Sequence, residues 1–175
     1  MRDAINKAAR LIVNHCLDNR IGVIVFGWNQ RQKDGSNMGT RNNQTFVQIP
    51  TGRLKTRLQQ LCEVVGMQFI ETEESYTSKA SFLDHDFLPT FGAKPASWKP
   101  SGKREKRGQY KTAHGFLINA DCNGAANIIS KVATQLGLNL AKVGRAALNL
   151  PKRYDLFKGL SKAYRERCEV RLQPT

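Results

Sequence analysis

An α/β fold is predicted for this 175-residue chain by the order of its apolar patterns. Apolar residues at helical spacing over Arg2–Asn19 are followed by a short apolar run, Ile21–Asn29, and the same order recurs after Pro50. Helix, strand, helix, strand is typical of two parallel strands joined by a helical crossover. In such open sheets the functional crevice lies beyond the carboxyl ends of the strands, which here are Gly27–Asn29 and Thr72–Ser75.

The first helix and strand are indicated by different periodicities. The helix has one apolar face, formed by Ile5, Ala8, Ala9, Ile12, Val13 and Cys16. Ile21–Asn29 is a continuous apolar run, which predicts a strand buried on both faces. The polar, glycine-bearing stretch Gln30–Asn43 predicts a mobile loop.

The second helix is predicted after Pro50, because proline suits a first helical turn and Gly66 supplies a stop. Its apolar stripe consists of Leu54, Leu58, Leu61 and Val65. The next stretch, MQFIETEE, predicts a strand that runs into acidic residues. Residues 1–81 therefore form one predicted α/β segment.

The second half of the chain divides into three predicted segments. Residues 82–116 form a basic insertion, either irregular or a hairpin. Leu117–Leu136 is predicted to be a helix, capped by Asn119 or Asp121. Residues 137–175 form a basic tail that is expected to be partly disordered.

The charge of the chain predicts a polyanionic partner. There are 28 Lys and Arg residues against 14 Asp and Glu residues, a formal charge of +14. This excess favours nucleic acid binding, with a basic ribosome-associated protein as the weaker alternative. The basic and aromatic stretch Trp98–Lys111 can follow phosphates and stack on bases. The candidate nucleic-acid-binding residues are Arg41, Lys79, Lys99, Lys103, Arg104, Lys106, Arg107 and Lys111.

The four cysteines are dispersed, so no zinc site is predicted from them. Dispersed cysteines are typical of reduced thiols in a cytosolic protein, and we expect Cys62 to lie on a buried helix face. Neither a signal peptide nor a membrane-spanning run is predicted from the sequence.

Four acidic residues are candidates for chemistry. Glu71, Glu73 and Glu74 follow the second strand, and Asp121 begins the last helix. Carboxylates from separate elements can converge on Mg²⁺ and cleave phosphodiesters. From spacing alone, the alternative is that Asp121 caps its helix and the glutamates are solvated. His85, between two aspartates, is predicted to lie in a surface turn.

Two sequence blocks resemble the C-terminal part of the TnpB (OrfB) family, the RNA-guided nucleases of insertion sequences, which are related to type V CRISPR effectors. The first block runs from FVQIPTGRLKTRLQQLCEVVG to ETEESYTSKASFLD, and the second is RGQYKTAHGFLINADCNGAANIISKV. The absence of zinc-ribbon cysteines after YTS resembles the cyanobacterial branch. The resemblance implies a partial RuvC-like, RNase H-type α/β fold without structural zinc.

The resemblance also implies an active site that uses carboxylates with Mg²⁺ or Mn²⁺. Asp121 matches the last catalytic aspartate of the family. The place of the usual family glutamate holds Gly27 or Trp28, so Glu74, or its neighbour Glu73, is expected to compensate from the adjacent strand.

The family's first catalytic aspartate lies on a strand that would precede the first helix of this sequence. The chain is therefore expected to be a C-terminal portion that is inactive alone and is completed by an upstream polypeptide. Its expected partners are DNA and guide RNA, without a membrane, in the bacterial cytoplasm at the nucleoid. The alternative is an inactive remnant that only binds DNA or RNA.

Overall fold

The computed structural model describes residues 2–29, 50–149, 151 and 154. Its elements are α1 (Arg2–Asp18), β1 (Val23–Gly27), α2 (Thr51–Val65), β2 (Gln68–Thr72), β3 (Lys103–Lys106), β4 (Gln109–Lys111), β5 (Leu117–Asn119) and α3 (Ala120–Val132). The predicted loop Gln30–Asn43, with Arg41, lies outside the described residues, as does most of the tail. Among the described helices, none combines the length and apolarity needed to cross a bilayer.

The chain divides into two compact units. Among the described residues, the first contains 2–24, 50–69 and 154, and the second contains 25–29, 70–149 and 151. In the first unit α1 packs against α2. Their buried side chains are Ile5, Ala9, Val13 and Cys16 of α1, with Leu58, Leu61 and Cys62 of α2. The predicted apolar faces and the burial of Cys62 are thereby confirmed.

Helix α2 ends where the sequence predicts. Gly66 adopts the left-handed conformation at φ 71°, and its N–H bonds to the carbonyls of Cys62 and Glu63. A residue with a Cβ adopts this conformation only at a cost, so glycine stops the helix cleanly. Met67, the residue before β2, is buried.

Strands β1 and β2 are neighbours and run in the same direction, as predicted. The Gln68 N–H donates to the Gly22 carbonyl near their starts, and the Trp28 N–H donates to the Thr72 carbonyl at their ends. β1 is half-buried along its length, so the prediction of burial on both faces is wrong. Within the described residues this sheet has two strands, which leaves β1 with less cover than the interior of a wider sheet has.

The second unit contains an antiparallel sheet in the order β3, β4, β5. Tyr110 of β4 pairs with Ile118 of β5, and both side chains are buried in a core with Phe82, Ala120, Ala126 and Leu148. The hairpin alternative for residues 82–116 therefore describes β3 and β4. The helix predicted over Leu117–Leu136 instead begins at Ala120, because Leu117–Asn119 pair with β4.

Candidate active site and nucleic-acid interface

The start of α3 leaves the Asp121 carboxylate unused by the helix. Asn119 is the N-cap, and its side-chain oxygen accepts hydrogen bonds from the N–H groups of Asp121, at 3.0 Å, and Cys122, at 2.9 Å. An N-cap satisfies N–H groups that lack partners within the helix. Of the two predicted caps, Asn119 therefore performs the role. The Asp121 side chain is 83% exposed in the first turn.

Two buried asparagines fix α3 against the segment that follows β2. Asn123 accepts from the Phe82 N–H at 3.0 Å and donates to the Ala80 carbonyl at 2.8 Å. Asn127 donates to the carbonyls of Thr77 and Ala80, each at 2.9 Å. The asparagines of the NADCNGAAN block thus bind backbone, while its one acidic residue faces solvent.

The adjacent residues Glu73 and Glu74 have different surroundings. One Glu73 oxygen accepts from Lys131 Nζ at 2.6 Å, and the other accepts from the Ser75 N–H at 2.8 Å. Burial by itself would raise the pKa of Glu73, but the hydrogen bonds from Lys131 and Ser75 outweigh it and lower the pKa below its ordinary value. Both Glu73 oxygens therefore accept hydrogen bonds from other residues of the chain.

Gly27 lies against the Glu74 side chain at the end of β1. A Cβ added to Gly27 would lie 3.0 Å from Glu74 Oε2 and 2.7 Å from Ile128 Cδ1. A larger residue at position 27 would therefore collide with the side chain of Glu74. The space in which a glutamate of β1 would begin is filled by the glutamate that follows β2.

Ile128 relates Glu74 to Asp121 along α3. Ile128 follows Asp121 by seven residues, so the two side chains lie on the same face of the helix, about 10 Å apart along its axis. The side chains of Glu74 and Ile128 both lie next to Gly27. Glu74 therefore lies near Ile128, which is on the side of α3 that also carries Asp121.

The strand β3 carries positive charge next to Asp121. All four of its residues, Lys103–Lys106, are exposed. Arg104 Nη2 lies 3.7 Å from Asp121 Oδ1. The remaining described candidates, Lys79, Lys99, Arg107 and Lys111, are exposed or half-buried. The structure therefore brings one predicted phosphate-binding residue to the predicted catalytic aspartate.

Asp84 organises the segment in which many TnpB relatives would carry zinc. Its side chain is 5% exposed and accepts hydrogen bonds from the hydroxyls of Ser81 and Ser101, the Ala113 N–H and the His114 ring. Burial by itself would raise the pKa of Asp84, but these hydrogen bonds outweigh it and lower the pKa below its ordinary value. Three stretches of chain are joined by one carboxylate.

Asp86 and His85 complete this turn. Asp86 Oδ2 accepts from the N–H groups of Ser81, at 2.7 Å, and Ser101, at 3.1 Å. His85 is exposed in a turn, as predicted, with a positive φ of 54°. The aspartates on either side of His85 connect loops that are distant in sequence.

The aromatic residues of the second unit form two separate clusters. Trp98 donates its ring N–H to the Phe87 carbonyl at 2.9 Å, and its ring packs 5.4 Å from that of Tyr76. This local packing uses part of the ring surface that base stacking would need. Phe116 is 46% exposed, and the Arg145 guanidinium lies 5.2 Å from its ring centre. Sequence reasoning missed this second cluster, because its members lie 29 residues apart.

Comparison with known proteins identifies the domain that holds these acids. Residues 52–128 match the family model described as the Cas12f1-like TNB domain, and this match includes Glu74 and Asp121. This part of the chain is therefore similar to a Cas12f1-like TNB domain. A solved structure of Cas12f1 with single guide RNA and target DNA matches with a TM-score of 0.50 and 17% identity. Among curated proteins no similar sequence was found.

These findings confirm the predicted relationship to TnpB-like and type V effector proteins and the partial α/β fold. The match to Cas12f1 covers 71% of this chain and 32% of the other chain. The chain therefore corresponds to about a third of the length of that protein. Nucleases guided by RNA are thus among its relatives.

Residues 52–128 contain two carboxylates that suit a divalent cation, but not a complete set of ligands. Asp121 is exposed, Glu74 lies on the same side of α3, and both supply the oxygen donors that Mg²⁺ prefers. Within residues 2–29, 50–149, 151 and 154 no three His, Cys, Asp or Glu residues converge on one point. Asp121 and Glu74 therefore supply suitable oxygen donors, and a shared site would require both carboxylates and a further ligand to approach one ion.

Proposed function

We propose that this chain forms part of the nuclease domain of a TnpB-type, transposon-encoded RNA-guided DNA endonuclease. Asp121 and Glu74 would hold Mg²⁺ or Mn²⁺, and the basic strand β3 would hold DNA. The observation that carries the proposal is the proximity of Arg104 to Asp121, 3.7 Å between Nη2 and Oδ1.

This proximity matters because the two residues have different chemical roles. A guanidinium group recognises phosphate through two parallel hydrogen bonds, whereas a carboxylate repels phosphate unless a cation lies between them. Arg104 lies on a strand whose other cations, Lys103 and Lys106, are also exposed. A phosphodiester bound to this strand would thus be held beside Asp121.

Different residues would position the carboxylates and bind the phosphate in the proposed site. Asn119 fixes the start of α3 and so positions Asp121, and the Glu73–Lys131 pair anchors the residue before Glu74. Arg104 holds and neutralises the phosphate. When bound, a divalent ion would supply an activated water and would stabilise the leaving oxygen.

The relatives support DNA and guide RNA as partners. Cas12f1 was solved with a single guide RNA and target DNA, and its structure resembles 71% of this chain. The formal charge of +14 suits both polyanions. A separate upstream polypeptide would supply the first catalytic aspartate, and the complex would work at the nucleoid in the bacterial cytoplasm.

The test is cleavage of single-stranded DNA with Mg²⁺, with and without a polypeptide that carries the upstream half of the fold. The complemented wild type is expected to cleave, and Asp121→Ala and Glu74→Gln each to lose at least about 100-fold of the rate, since weaker supporting contacts to metals already cost 10- to 100-fold. Glu71→Gln, an exposed acid of β2, is the matched control. Equal rates for the wild type and Asp121→Ala would rule out this function.

A non-catalytic nucleic-acid-binding module is the second candidate. It is favoured by the observation that the described residues contain no three-ligand metal cluster. This candidate predicts salt-sensitive binding of DNA and RNA without cleavage, even after complementation. Binding that does not respond to salt would exclude both candidates, because each depends on phosphate contacts.

A further inference from the structure

We propose that a cavity between the starts of α1 and α2 binds phosphate groups of a nucleic-acid backbone. The inference deepens the proposed function and rests on it, because it assigns a second place where the same kind of polyanion is held. The cavity belongs to the first unit, and its residues differ from those of the proposed active site.

The cavity is large and its lining is cationic. It is an open depression of about 880 Å³. Its lining consists of Arg2, Ile5 and Asn6 from α1, with Gly52, Arg53, Thr56, Arg57 and Gln60 from α2. None of the described residues that line it is acidic. Asp3, in the first turn of α1, is paired with Lys7 at 2.8 Å. The lining therefore combines three guanidinium groups with neutral hydrogen-bonding side chains.

Both helices begin at this cavity. Helix α2 starts after Pro50 without a side-chain cap and without an acid in its first turn. The N–H groups of a first turn lack partners within the helix, and the N-terminus carries a partial positive charge. Gly52, in this first turn, also lines the cavity and lets a ligand approach the backbone closely.

Arg57 is the cavity residue whose guanidinium group is only partly paired within the chain. Its Nη1 donates to Gln60 Oε1 at 3.2 Å, while its Nε is buried and has no hydrogen-bond partner. A buried donor without a partner is unfavourable, since it has lost water and gained nothing in exchange. Arg57 therefore lines the cavity with a guanidinium group whose pairing within the described residues is incomplete.

The shape of the cavity favours a phosphodiester over a free phosphate ion. Guanidinium groups bind phosphate in a bidentate manner, and three of them around one space can contact successive phosphates. The volume exceeds what a single phosphate ion would fill. The shared chemistry is the phosphate group, and the two sources are a nucleic-acid backbone and free phosphate or nucleotide.

The test measures the affinity of the full chain for DNA and RNA oligomers as salt is varied, without divalent cations. The variants are Arg53→Gln/Arg57→Gln and the control Arg10→Gln, an exposed cation of α1 outside the cavity lining. The double variant is expected to lower the slope of log affinity against log salt by about 1.5, and the control to lower it much less. Equal slopes for the double variant and the control would overturn the proposal.

Two further arms cover the remaining outcomes. If the double variant does not fold, Arg53→Gln alone is expected to lower the slope by about 0.8, since Arg53 is exposed. If inorganic phosphate raises the melting temperature of the wild type but no variant alters the oligomer slope, the cavity binds free phosphate and the backbone proposal is wrong. Failure of the cavity leaves the cleavage test unaffected, because that test compares variants of Asp121 and Glu74, which do not line the cavity.

Discussion

Asp84 and Asp121 lie in the same compact unit, yet their carboxylates have opposite surroundings. The Asp84 side chain is 5% exposed and accepts hydrogen bonds from three separate stretches of chain. The Asp121 side chain is 83% exposed and faces Arg104 at 3.7 Å. A buried carboxylate with many donors supports the fold, whereas an exposed one beside a cation is available to a ligand.

The largest expected effect is on stability. Asp84→Ala is expected to lower the free energy of unfolding by about 3 kcal/mol, because hydrogen bonds to a buried charge are lost and their donors are left unsatisfied. Urea denaturation of the full chain measures this. Asp18→Asn, an exposed aspartate at the end of α1, is the control. A loss below about 0.5 kcal/mol would mean that Asp84 does not hold these loops together.

The same carboxylates predict how stability depends on pH. The pKa values of Asp84 and Glu73 are lowered in the folded protein from ordinary values of 3.8 and 4.5. Their contribution is therefore complete above pH 4.5 and is lost as pH falls through the folded pKa values, because the unfolded chain binds more protons there. Denaturation at several pH values tests this. Asp84→Asn should flatten the decline, and an unchanged slope would contradict the assignment.

Glu73 and Glu74 are neighbours for which we expect different roles, one in stability and one in cleavage. Glu73→Ala is expected to cost about 2 kcal/mol of stability, because Lys131, with a side chain 9% exposed, would lose its carboxylate partner. Glu74→Gln is expected to reduce complemented cleavage instead, while Glu73→Gln spares it. If Glu73→Gln abolished cleavage and left the melting temperature unchanged, the two roles would be exchanged.

Gly27→Ala tests the packing of Glu74 against β1. The new methyl group would overlap Ile128 Cδ1 and crowd Glu74, which should cost about 1.5 kcal/mol. Adding Ile128→Val removes that Cδ1 atom and should restore part of the stability. Gly22→Ala, at a site with no atom within 4 Å of the added Cβ, is the control. Equal losses at both glycines would argue against the predicted overlap.

The smallest effect separates capping from chemistry at the start of α3. Asn119→Ala is expected to cost about 1 kcal/mol, because the N–H groups of Asp121 and Cys122 lose their acceptor. Asp121→Ala should change stability by less than about 0.5 kcal/mol, as surface substitutions generally do. Thermal melts of both variants decide the point. A larger loss for Asp121→Ala would make Asp121 a structural residue.

Much of the first half of the fold was predictable because local patterns coincide with tertiary packing there. The apolar stripes of α1 and α2 became the buried face of the first unit, and Gly66 ended its helix. The sequence did not reveal β5, because Leu117–Asn119 is too short for a periodic signal and continues directly into a helix. Pairing with β4 decides its conformation.

For the candidate site, too, the residue types were predictable from the sequence and their contacts were not. Asp121, Glu73, Glu74 and the basic stretch were visible as residue types in a family-like order. Their proximity was not, because a contact such as Arg104–Asp121 depends on the hairpin that positions Arg104. Likewise, the local sequence does not distinguish Glu73 from Glu74. The difference comes from Lys131, 58 residues away from Glu73, which donates a hydrogen bond to Glu73.

The sequence by itself determined the charge, the order of helices and strands in the first half, and the resemblance to TnpB, since these depend on composition and local spacing. Only the tertiary structure decided which carboxylates are occupied. In the folded chain Asp84 accepts hydrogen bonds from four donor groups, and Glu73 pairs with Lys131. Asp121 remains exposed next to Arg104. The physical reason is that burial and hydrogen bonding depend on residues distant in sequence, and these set whether an acid supports the fold or is available for binding.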